Sequence, residues 1–154
     1  MRVLFFPDEG VDVSGCAAEL VALALALAAG KGGVETTTSA EPSFGGAELS
    51  SVEVVSSGGP CVHIKVDSER SALVMEGDRQ GLTALADELR SIARMDDGGH
   101  QHIEYFPGHY YLAAGSLAMV VKSPHGGMPN RTCPVDQVRS QMVRAVAVAV
   151  PRKR

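Results

Sequence analysis

The chain has 154 residues, with 18 acidic and 14 basic side chains, no tryptophan and three cysteines, about the length of one domain. Apolar residues supply 45% and charged residues 21%, which excludes wholesale disorder, a collagen, a long coiled coil, a polytopic membrane protein and a disulfide scaffold. The net charge of −4 is uneven: residues 1–125 hold eight Lys or Arg against 17 Asp or Glu, and residues 126–154 hold six against one. An acidic body repels nucleic-acid backbones, so nucleic acid is not an expected partner. Residues 1–125 are expected as a single domain and residues 126–154 as a basic, loosely ordered tail. Arg2 to Phe6 is an apolar run stopped by Pro7 and predicts a strand. Ser14 is the expected N-cap of a helix from Gly15 to Ala29, ended by Gly30 in the left-handed conformation. That apolar stretch is too short to span a bilayer and contains Glu19, and the acids Asp8, Glu9 and Asp12 before it do not suit a signal peptide. It reads as a covered helix, so no membrane partner is expected.

Val34 to Ser39 suggests a strand, Ala40 to Gly46 a loop, and Leu49 to Val55 a second strand. Val62, Ile64 and Val66 alternate with Cys61, His63 and Lys65, the pattern of a half-buried strand. With Ala72 to Glu76 and the polar turn at residues 67–70 it predicts an antiparallel hairpin. Asp78 then caps a helix whose residues Leu82, Leu85, Ala86, Leu89, Ile92 and Ala93 form one apolar stripe. His100 to Phe106 and Leu117 to Lys122 predict two further strands, while Gln137 to Val150 fits strand or helix. The fold class is therefore α+β: an antiparallel or mixed sheet with two main helices, about 15–29 and 79–94, packed on one face. No internal repeat is apparent. Cys16, Cys61 and Cys133 form no CxxC pair, so three reduced thiols in a cytosol are expected, Cys16 buried and Cys133 exposed.

Chemistry-bearing residues concentrate between Asp96 and Tyr111. His100, His102 and Glu104 alternate along a predicted strand and so share one face, with His109 just beyond the Pro107-Gly108 turn. Two histidines with a carboxylate make an open metal site, which leaves zinc or iron on His100, His102, Glu104 and His109 as an alternative. The plainer reading is a polar outer sheet face, with Gln101, Ile103 and Tyr105 on the other side. Four of the seven aromatic residues lie between Glu104 and Tyr111, and tyrosine supplies rigid contact area with a polar tip. There is no nucleophile elbow and no phosphate-binding loop.

From Ala72 to Val121 the order is a strand, Gly77-Asp78 with Gly81-Leu82, an amphipathic helix ending near Arg94 and a short acidic glycine turn. It continues with His100-x-His102-Ile103-Glu104-Tyr105, then Pro107-Gly108-His109 and a closing strand introduced by Ser116. This arrangement, about a third of the chain, resembles the immunity protein 32 family of bacterial polymorphic toxin systems. The resemblance implies a cytoplasmic protein, not an enzyme, that neutralises a cognate toxin by stoichiometric binding; no catalytic residue carries over. The expected partner-binding patch is His100, His102, Glu104, Tyr105, His109 and Tyr110, with Asp96 and Asp97 nearby. A metal-binding protein or metal-dependent enzyme, or a structural domain that forms a homodimer through its sheet face, are the alternatives.

Overall fold

A computed structural model describes residues 1–95 and 100–123. Eleven elements follow in chain order: β1 (Arg2–Phe6), β2 (Gly10–Ser14), α1 (Ala17–Ala29), β3 (Lys31–Glu35), β4 (Ala47–Glu48), β5 (Ser51–Ser56), β6 (Val62–Asp67), β7 (Ala72–Gly77), α2 (Arg79–Ala93), β8 (His100–Ile103) and β9 (Met119–Lys122). The α+β class with two helices is as the patterns imply. The strands divide, however, into two mixed sheets, β4-β1-β2-β9-β8 and β3-β5-β7-β6. The expected basic tail, with Cys133, lies outside the described residues.

Pro7-Asp8-Glu9-Gly10 reads as a turn in the sequence and is one, but it is the turn of a hairpin whose second strand, β2, the sequence reading passes over. Gly10 makes this possible: its φ is +110°, and a Cβ there would stand 2.1 Å from the Ala118 carbonyl oxygen. Only glycine permits both that dihedral and that approach. β2 then pairs in parallel with β9, Val11 opposite Met119 and Val13 opposite Val121. In the other sheet β5 pairs in parallel with β7, Val52 opposite Leu73 and Val54 opposite Met75.

The inward rows of both sheets meet both helices in one core. Val11, Val13, Met119 and Val121 belong to it from the first sheet, and Val52, Val54, Leu73 and Met75 from the second. The helices add Leu20, Leu23 and Leu27, and Leu82, Leu85, Leu89 and Ile92, each at most 1% exposed. α2 buries one stripe and leaves Arg79, Asp87 and Arg94 outside, as its 3.6-residue period requires. The outward rows carry ion pairs instead: Arg2 with Glu48, Lys122 with Asp12, Lys65 with Glu76, and Arg70 with Glu53 and Asp67. Hydrogen bonds from Arg70 hold the Asp67 carboxyl below its ordinary value, and Lys65 does the same for Glu76. No helix among the described residues is long and apolar enough to cross a membrane.

The helix starts differ in an instructive way. Asp78 caps α2 as expected, accepting from the Gly81 N–H at 2.7 Å. α1 starts two residues later than its sequence implies, with Cys16 and not Ser14 at the N-cap. Its first-turn N–H group is satisfied in reverse, Cys16 N–H donating to Glu19 Oε2 at 2.9 Å. The other carboxylate oxygen of Glu19 takes the Met1 ammonium group, so both charges are buried as a pair. Position, then, explains why Cys16 is no inert core thiol: it is half-buried at the helix start and disulfide-bonded, while Cys61 carries a free thiol. Gly30 closes α1 in the left-handed region at φ 71°.

Removing one member of a buried charge pair costs about 3–5 kcal/mol. Glu19→Ala is expected to lower the unfolding free energy by roughly that amount in urea titrations. Glu19→Gln should recover about 1 kcal/mol of it, the share owed to capping Cys16 N–H.

Candidate functional site

Sheet pairing presents the histidines. β8 is bound only at one side among the described strands, to β9, with His100 opposite Lys122 and His102 opposite Val120. Burial alternates: His100 and His102 are exposed, Gln101 is half-buried and Ile103 is 3% exposed. The two imidazoles lie side by side on the open face, ring centroids 5.3 Å apart and edge-on at 73°. Gln101, a polar residue on the inward row, donates to Glu88 Oε2 of α2 at 2.7 Å. That bond ties the strand to the helix behind it and explains a polar residue there.

The strand ends at Ile103, three residues before the sequence pattern suggests, because Glu104 to Leu117 turns away to cover the edge of β6. Val62 N–H donates to the Tyr111 carbonyl at 2.7 Å, Ala113 N–H to the Val62 carbonyl at 2.8 Å, and Leu117 N–H to the Ile64 carbonyl at 2.9 Å. Ser116 Oγ adds bonds to both sides of that edge, donating to Val62 and accepting from Ile64 N–H. Tyr111 and Leu112 are buried at 4% and 1% and anchor the segment in the core.

On this anchored loop the rings gather around His109. Its imidazole stacks on Tyr110 (5.5 Å, 3°) and meets Phe106 and Tyr111 edge-on at 4.8 and 4.5 Å. Nδ1 accepts from the Leu112 N–H at 3.0 Å and the Tyr111 N–H at 3.3 Å, which fixes it as the unprotonated nitrogen. His109 is thus a loop-forming group. Tyr110 and Phe106 stand outward, 73% and 58% exposed, and are the largest exposed apolar side chains among the described residues of this half of the chain. Tyr111 behaves oppositely: burial, then Glu88 and Tyr110, push its phenol well above the ordinary tyrosine value.

His100, His102 and Glu104 are exposed, with Tyr105 half-buried against the core, and His109 and Tyr110 belong to the ring loop. Asp96 and Asp97 lie outside the described residues. His100, His102, Glu104 and His109 do not assemble as a metal site: among the described residues no three His, Cys, Asp or Glu side chains are grouped to hold an ion. The cause is the end of β8 at Ile103, after which the loop directs His109 Nδ1 to its own backbone. Phe106, absent from the expected patch, stands outward beside His109; the Pro107-Gly108 turn next to it was the available signal.

Set beside known proteins, the chain matches the family model of immunity protein 32 over residues 72–124. That segment runs from β7 through β9 and contains every candidate residue above. Comparisons with curated proteins and with solved structures give no match.

His109→Ala leaves the buried Leu112 N–H without its acceptor, an omission worth roughly 1–3 kcal/mol. A drop of that size in unfolding free energy, with loss of protection at the Leu112 amide in hydrogen exchange, is the expected result. Tyr111 gives a pH dependence of definite sign. Its phenol is held protonated in the folded chain while the unfolded chain ionises near pH 10, so the contribution is complete below about pH 10 and is lost as pH rises. Absorbance at 295 nm should therefore show one tyrosine ionising only as circular dichroism reports unfolding, and Tyr111→Phe should remove that step.

Proposed function

We propose that this chain is an immunity protein that binds a cognate bacterial toxin and neutralises it stoichiometrically by covering its active site or substrate groove. The match of residues 72–124 to the immunity protein 32 family supports the class. The single observation supporting the face is the concentration of exposed rings within that segment, His100, His102, Phe106 and Tyr110, on a loop and strand held by main-chain bonds. Rigid amphipathic rings lose little entropy on docking and are the residue types that dominate binding hot spots. Function by occlusion requires no catalytic group. The net negative charge of residues 1–125 suits a basic partner such as a nuclease, because opposite potentials speed and orient association. A cytoplasmic location comes with this reading and not from the cysteines, since Cys16 is disulfide-bonded.

A toxin encoded beside this gene should co-purify with the protein and lose its activity on mixing at equimolar ratio. Tyr110→Ala and Phe106→Ala should each weaken binding by about 30-fold or more, the hot-spot range, with unchanged melting temperature. Phe44→Ala is the control: Phe44 is 88% exposed, in the loop leading to β4 at the opposite edge of the sheet from β8, and its loss should leave binding unaltered. A toxin that keeps full activity in the presence of excess protein would overturn the reading.

A further inference from the structure

The strand orders of the two sheets are related by exchange of the two halves of the chain. The first sheet runs β1-β2-β9-β8 and the second β6-β7-β5-β3, with the order read outward from each first hairpin. In both, a hairpin (β1-β2 or β6-β7) leads into a helix, and two strands after that helix (β3 and β5, or β8 and β9) enter the sheet of the other half. The joins are parallel in both cases, β2 with β9 and β7 with β5, and the outer pairs antiparallel, β9 with β8 and β5 with β3.

The correspondence holds residue by residue. One constant shift in numbering carries Gly15 onto Gly77, the N-cap Cys16 onto the N-cap Asp78, and buried Leu20, Leu23, Ala24 and Leu27 onto buried Leu82, Leu85, Ala86 and Leu89. Across the first sheet Val11 faces Met119, which faces Ile103; across the second Leu73 faces Val52, which faces Val34. All six are buried. Even the edges match. The segment between β3 and β5 supplies β4, which pairs with β1, and the segment between β8 and β9 bridges to β6 at Val62 and Leu112. Both helix starts are capped by side chains at matching places, Cys16 with Glu19 in the first half and Asp78 in the second.

We infer that the chain is a pair of covalently joined ββαββ units, in which residues 1–56 are the built-in partner of the immunity-like residues 62–123. Each unit donates two strands, β3 and β5 or β8 and β9, to the sheet of the other, so neither completes a sheet or a core alone. The units have diverged at the surface: the positions opposite Lys122 and Val120 hold His100 and His102, whereas the matching positions opposite Val55 and Glu53 hold Lys31 and Gly33. The inference rests on topology and register and is independent of toxin binding.

The units are joined through Ser57-Gly58-Gly59-Pro60, where Gly58 and Gly59 are exposed and a Cβ on Gly58 meets nothing within 4 Å. A protease recognition sequence inserted between Gly58 and Gly59 of the full chain tests the claim, with dithiothreitol present because Cys16 is disulfide-bonded. After cleavage the two pieces should elute together at the mass of the intact chain. Denatured and separated, they should recover native circular dichroism only when mixed. Pieces that part on cleavage, or either piece regaining native amide protection alone, would overturn it. Should the insertion prevent folding, hydrogen exchange on the unaltered chain decides: amides of β2, β9, β5 and β7 are expected to open in one cooperative step, and independent opening of the two sheets would count against the inference.

Discussion

The face that the chain presents depends on two parallel strand pairs, β2 with β9 and β7 with β5. Parallel strands require long crossover connections, and here β2 and β9 lie near opposite ends of the described chain. Closing so long a loop is unfavourable in entropy, although the cost grows only slowly with length. Burial offsets it. Val11, Val13, Met119 and Val121 are at most 3% exposed, and removing such side chains from water contributes about 1.5–3 kcal/mol each. Without the β2 and β9 pair, β8 would have no sheet behind it and the imidazoles no defined direction.

Around that frame the outward surface is arranged by local bonds. The ring loop has no regular secondary structure, yet its Tyr111 C=O, Ala113 N–H and Leu117 N–H bond to β6, its Tyr111 and Leu112 N–H groups bond to His109 Nδ1, and Ser116 Oγ ties it to Val62 and Ile64. A loop satisfied in this way keeps its exposed rings in fixed positions, which lowers the ordering cost of binding. Gln101 and Glu88 extend the same logic beneath the strand, where one side-chain bond joins β8 to α2. The order of the candidate face therefore resides in polar contacts, while its location resides in apolar ones.

Much of this was legible along the chain because it is local. α2 and its Asp78 cap follow from a 3.6-residue stripe and a single acceptor, the hairpin of β6 and β7 from alternation in β6 and the polar turn after it, and the shared face of His100 and His102 from a two-residue period. The parts that were not legible have nonlocal causes. β2 is five residues bounded by a turn and a glycine, and only Ala118 across the sheet explains Gly10. The start of α1 depends on Glu19 bonding the Met1 ammonium and the Cys16 N–H, which no cap preference at Ser14 registers. The early end of β8 reflects recruitment of the following segment by β6. The internal pairing of the two halves is hidden because unequal turns and loops disrupt the numbering, and because matched positions preserve burial and size in place of identity, as with Val34 and Ile103.

Exchange of the last strands also has a mechanical consequence. Tension applied to the imidazole-bearing edge passes into β9 and then into β2, a strand built from the opposite end of the polypeptide. Tearing the β8-β9 pair away from β2 means breaking evenly spaced main-chain bonds to which both halves contribute. A ligand gripping there is tethered to the whole molecule at once.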